Sequence, residues 1–136
     1  PTLVYPPDIV DAIMVDPLGQ IRNRNAVPAL VELTQDPSPN VRLAATIALR
    51  GSGGMDTKAA LVARLDDDIP AVRYQAVMGL GTGLMPSDVG AKSWKGWLPA
   101  ADEYDKDRDA VVSKWKGWWQ QKGKSQYPTV ESVVTL

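Results

Sequence analysis

Two segments of this chain are versions of one another. DPSPNVRLAATIAL, Asp36 to Leu49, aligns without a gap on DDIPAVRYQAVMGL, Asp67 to Leu80, at an offset of 31 residues. The offset pairs Asp36 with Asp67, Pro39 with Pro70, Val41 with Val72, Arg42 with Arg73, Ala45 with Ala76 and Leu49 with Leu80, and upstream it carries Leu30-Val31 onto Leu61-Val62. A period of this length marks a repeat architecture, in which each unit is one supersecondary element that cannot bury its apolar face alone and must stack on its neighbours.

Each unit reads as a helix pair. The first helices are predicted over Ala26 to Gln35 and Thr57 to Asp66, the second over Asn40 to Arg50 and Pro70 to Leu80. Pro39 and Pro70 stand at or beside the second-helix starts, where a missing N–H costs nothing, and Gly51 and Gly81 follow the ends. Val41, Ala45, Ala48 and Leu49 share one helical face, as do Val72, Ala76, Gly79 and Leu80; the small residues let helices approach closely.

AVPALVELTQDPSPNVRLAATIAL resembles the HEAT repeat family in its short bacterial form, whose unit runs as an apolar helix, an Asp-Pro-x-x-x-Val-Arg turn and an alanine-rich helix. The resemblance covers about Ala26 to Leu80, and DPLGQIR, Asp16 to Arg22, is similar to the remnant of a preceding unit. It implies an all-α fold, a right-handed α-α superhelix of helical hairpins. It also implies that Asp36 and Asp67 cap second helices or meet Arg42 and Arg73 in a ladder between repeats. Identical placement in both units suits stacking better than catalysis, so these four residues are read as structural.

A single helical-repeat domain is expected, with residues 1–25 as an N-terminal cap, 26–56 and 57–90 as the two repeats, 91–124 as a tryptophan-rich C-terminal cap and 125–136 as an extended tail. A short helix from Asp8 to Val15, with Ile9, Ala12, Ile13 and Leu18 over the first hairpin, would form the first cap.

The composition removes much of enzymology. Among 136 residues there is no cysteine and no histidine. Disulfides, thiolate or imidazole metal sites and every Ser-His or Cys-His nucleophile system are therefore absent. Carboxylates and lysines remain without a supporting motif, so no catalytic residue, cofactor or metal ligand is assigned. A formal net charge of -1 gives no long-range attraction to nucleic acid or anionic lipid. No apolar run approaches the roughly 20 residues that span a bilayer. A first residue other than Met, together with the lack of cysteine, leans toward an extracytoplasmic location.

Tryptophan is concentrated late in the chain, at Trp94 and Trp97 in WKGW and at Trp115, Trp118 and Trp119 in WKGWW. A helix capped by Asp105 or Asp107 and running to about Gln121 would place Val111, Val112, Trp115 and Trp119 on one stripe, with Trp118 at its edge. Rings that share a face with valines close a core, and the ending KDRDAVVSKWKGWW is similar to that of short bacterial HEAT proteins. The alternative is a stacking platform for a sugar or single-stranded nucleic acid, with Lys92, Lys95, Lys114 and Lys116 beside the rings. Lys114 and Lys116 fall off the ring-bearing face, which favours the cap.

Asp105, Asp107 and Asp109 imitate the start of a calcium loop but lack its glycine at position six and its glutamate at position twelve. Asp66, Asp67 and Asp68 read as a cap and solvated turn. RGSGGMD, Arg50 to Asp56, lacks the lysine and hydroxyl of a phosphate loop and reads as an inter-repeat connection.

One feature departs from the family pattern. Positions about 200° and 240° around the second helices from Val41 and Val72 should be solvated. They hold Leu43 and Ile47 in one unit and Tyr74 and Met78 in the next. Either the four form an apolar stripe for a protein partner, or other parts of this chain cover them. The expected function is noncatalytic protein binding, as a scaffold or accessory subunit of a larger complex. HEAT-like bilin lyases and DNA glycosylases make an enzyme the remaining alternative.

Overall fold

The computed structural model describes residues 27–52 and 54–127. The predicted helix Asp8–Val15, the DPLGQIR echo and the chain after Tyr127 lie outside them. Every regular element among the described residues is helical: α1 Val27–Leu33, α2 Pro39–Ser52, α3 Lys58–Ala63, α4 Pro70–Gly81, α5 Ala101–Trp118 and the short α6 Lys124–Gln126. The described residues form an all-α fold.

The pairing follows from the repeat. Helix α1 packs on α2 and α3 on α4, giving two hairpins, and α2 packs along α4, which stacks one hairpin on the other. Small residues set that last contact. Ala45, Ala48 and Ala76 are fully buried, and a Cβ on Gly79 would lie 2.9 Å from Leu61 Cδ1 and 3.2 Å from Arg50 Cα. Leu30, Leu49, Leu61, Leu65, Val72, Val77 and Leu80 fill the remaining space. Buried threonines keep their hydroxyls satisfied locally: Thr34 donates to the Val31 carbonyl at 2.6 Å and Thr46 to that of Arg42 at 2.7 Å.

The first helices are shorter than the apolar pattern suggests. Helix α1 ends at Leu33, and α3 tightens into a 3₁₀ turn over Arg64–Asp66. Pro70 opens α4 as predicted, although Ile69 before it offers no side-chain cap.

Helix α5 begins earlier than expected. Its first residue is Ala101, not a position after Asp105 or Asp107, and Asp102 and Glu103 occupy the first turn, where acidic groups suit the helix dipole. Asp107 instead marks a kink, with φ -118° and ψ 18°. The pattern missed this start because the segment before Val111 buries a single side chain, Tyr104. Past Trp118 the chain widens into a π turn, Trp119–Gly123, and then closes with α6. Ser125 and Gln126, predicted to open the extended tail, are helical, and the rest of that predicted tail past Tyr127 lies outside the described residues.

Candidate functional site

Arg42 joins the two repeats. Its Nε donates to Asp67 Oδ2 at 2.9 Å and its Nη2 to Oδ1 at 3.3 Å, a bidentate pair in which the side chains are 11% and 1% exposed. Nη2 also reaches Asp68 at 3.0 Å. Through Nη1 the same guanidinium donates to the carbonyls of Asp36 and Pro37 in its own turn, at 2.9 and 3.0 Å. Asp67 accepts further bonds from Arg64 Nη1 at 3.2 Å and from the Ile69 amide at 3.0 Å. Burial pushes its carboxyl up, but the Arg42 hydrogen bond, the Ile69 amide and the charges of Arg42 and Arg64 together hold it below its usual value.

The other two residues marked by the repeat act inside their own turns. Asp36 Oδ1 accepts from the Ser38 amide at 2.9 Å, and Arg73 Nη1 donates to the Asp67 carbonyl at 2.6 Å. The turn Asp66–Asp68 is not uniformly solvated as its composition suggested: Asp66 and Asp68 are exposed and Asp67 is buried.

The four apolar positions on α2 and α4 sit in different surroundings. Ile47 is 40% exposed, Leu43 is half-buried, and Tyr74 and Met78 are half-buried against the core. Tyr74 meets Tyr104 of α5 edge-on, with ring centroids 5.3 Å apart. The α4 half is therefore partly covered from within the chain.

The five tryptophans converge. Trp115, fully buried, touches Trp94 at 5.9 Å, Trp97 edge-on at 5.0 Å and Trp118 edge-on at 5.7 Å. Trp118 continues the contacts to Trp119 and to Tyr127. Trp118 is 5% exposed, so it lies inside the cluster and not at an edge. The indole N–H of Trp115 donates to the Trp97 carbonyl at 2.9 Å, and that of Trp118 to the Asp88 carbonyl at 3.2 Å. Trp94 and Trp97 reach the cluster from a turn closed by the Trp97 amide on the Trp94 carbonyl, with Gly96 at φ 79°. Gly123 is equally confined, since a Cβ there would meet the Trp119 ring at 2.6 Å. Of the interleaved lysines, Lys114 lies near the Trp97 ring, 6.0 Å from its centroid, while Lys116 is turned away and pairs with Asp66.

Lys58 gave no signal in the sequence. It is 1% exposed, and its Nζ donates to the carbonyls of Gly79 at 3.0 Å and Thr82 at 2.6 Å at the end of α4, the first of which also accepts the Thr82 amide. Burial lowers its pKa from 10.5 to about 8. A neutral amine still carries two N–H donors for these two carbonyls. The folded-state pKa lies below the unfolded one, so between pH 8 and 10.5 the unfolded chain binds the extra proton and stability rises with pH. Urea unfolding followed between pH 8 and 10 should show a gain of roughly 2 kcal/mol. Lys58→Met should remove the rise; Tyr104 and Tyr127, both raised above their usual range by burial, act in the opposite sense, because the unfolded chain's tyrosines ionise first as the pH nears 10.

Among the described residues no group of three or more acidic side chains could hold a metal ion, and no helix is long and apolar enough to cross a membrane. Asp105, Asp107 and Asp109 are all exposed. No curated protein and no solved structure matches the chain. The profile of HEAT repeats matches residues 4–82, more than half of it, and ends before the tryptophan-bearing segment. HEAT repeats are generally protein-interaction elements and typically noncatalytic. Stacked hairpins, an alanine-lined contact between second helices and the profile match agree: the chain belongs to the HEAT repeat family.

Proposed function

We propose that this chain is a noncatalytic protein-binding scaffold, or an accessory subunit of a larger complex, which engages its partner through the stripe begun by Leu43 and Ile47 on α2 and continued by Tyr74 and Met78 on α4. The exposure of Ile47 carries this reading. Among the described residues it is one of two large apolar side chains left open, the other being Met85, and Ile47 sits on the rigid second helix of a repeat. A preformed helix face loses little entropy on association, so a modest apolar area can still bind.

The tryptophans support this reading over a sugar or nucleic-acid platform. The indole N–H groups of Trp115 and Trp118 are committed to backbone carbonyls, and the rings pack on one another.

Ile47→Asp should leave helicity intact and change stability by about 1 kcal/mol or less. It should also abolish capture of the partner that the unaltered chain retains in stoichiometric amount from its native source. Equal recovery of that partner by both proteins would remove α2 from the interface. Tyr74→Asp is unsuited to the test, because Tyr74 packs on Tyr104 and the core.

A further inference from the structure

In the first repeat the Arg42 guanidinium works on two sides. One side binds the carbonyls of its own turn, and the other takes the Asp67 carboxylate of the next unit. Arg73, its equivalent 31 residues later, repeats the first half only, by donating to the Asp67 carbonyl. Among the described residues it forms no ion pair, because α5 stands where a further repeat would supply the next turn aspartate.

Arg73 lines an open cleft of about 460 Å³ against α5, with Asp66, Asp67, Arg108, Asp109 and Lys116 as the other charged groups. Most of that charge is already matched. Asp67 is held by Arg42 and Arg64, and Asp66 pairs with Lys116. Among the lining groups Arg73 and Arg108 remain, opposed by Asp109. The buried Tyr104 hydroxyl lies close to the Arg73 guanidinium and, among the described residues, has no other hydrogen-bond partner. The Asp105 charge acts on the same hydroxyl from outside the lining.

We propose that this cleft binds a carboxylate carried by an acidic side chain of a partner protein, with Arg73 taking the bidentate role that Arg42 takes toward Asp67 and Arg108 supplying the second cation. The repeat itself specifies the chemistry: the same arginine, anchored by the same backbone contact, meets a carboxylate one unit earlier. Only the source of the carboxylate rests on the protein-binding reading, and the cleft shares no residue with the apolar stripe.

The test is a nitrogen-15 NMR titration of the full chain, observed at the arginine Nε–Hε groups. N-acetyl-aspartate N-methylamide presents a side-chain carboxylate, and N-acetyl-alanine presents one at a chain end. The first probe should shift Arg73 Nε–Hε saturably, and Arg73→Lys should weaken its binding roughly tenfold, since a lysine cannot form the fork. Arg108→Gln, at an exposed residue without an ion pair, should weaken it severalfold and leave the fold intact. Ile47→Asp should not alter the titration, which separates this site from the stripe. Tighter binding of N-acetyl-alanine would overturn the side chain as the source. No saturable shift with either probe, or affinities unchanged in both arginine variants, would overturn the site.

Discussion

Asp67→Ala should cost roughly 3 to 5 kcal/mol of folding stability, as expected when one member of a buried ion pair is removed and its partner remains. The Asp67 side chain is 1% exposed and accepts from Arg42, Arg64 and the Ile69 amide at once, so its loss leaves two guanidinium groups short of an acceptor and frees the turn before α4. Urea unfolding at neutral pH measures the loss. The pair as a whole is worth less than its breakage: Arg42→Met combined with Asp67→Leu should recover part of the deficit, because two buried charges have then left together. Acid titration gives an independent check of sign. Asp67 is held below the usual carboxylate value, so its contribution is fully present above the unfolded-state pKa and is lost as pH falls through the lowered folded-state one. A deficit under 1 kcal/mol would show that Arg42 finds equivalent acceptors, with Asp68 the nearest.

A loss of similar size is expected for Trp115→Ala, roughly 3 to 5 kcal/mol, from the truncation of a fully buried aromatic side chain. Three other indole rings pack directly on Trp115, and the Trp97 carbonyl would lose its donor, so the cavity opens where α5 meets the turn of Trp94 and Trp97. Trp115→Phe should recover most of the packing but not the hydrogen bond, leaving a deficit of about 1 to 2 kcal/mol. Thermal unfolding of the two variants separates these contributions. If alanine and phenylalanine were equally tolerated, the cluster would have to be closing through Trp118 and Trp119 without its central ring.

What the sequence discloses depends on whether a signal is periodic. The 31-residue offset exposes both second helices, since Pro39 and Pro70, the alanine positions and the closing leucines each recur. It marks Asp36, Arg42, Asp67 and Arg73 as equivalents, but not which carboxylate meets which guanidinium: Arg42 reaches forward to Asp67, a choice made by how one hairpin lies on the next. Features that occur once are silent. Lys58 stands on a first helix where a lysine ordinarily faces water, and only the approach of α4 places its ammonium against the carbonyls of Gly79 and Thr82. The start of α5 is hidden because ADEYDKDRD offers no apolar stripe beyond Tyr104. The π turn after Trp118 follows from seating Trp118, Trp119 and Gly123 together in a confined space, a three-dimensional requirement without a linear pattern.

All five tryptophans lie between residues 94 and 119, and none falls within the two repeats. Light absorbed by this chain near 295 nm is therefore emitted from the segment that holds residues 94–119, and the 5 to 6 Å separations between neighbouring rings let excitation migrate among them before emission. Intrinsic fluorescence is blind to the hairpins, whereas peptide-bond circular dichroism sees both parts. The two optical signals change together only if the hairpins and the tryptophan-bearing segment melt as one cooperative unit.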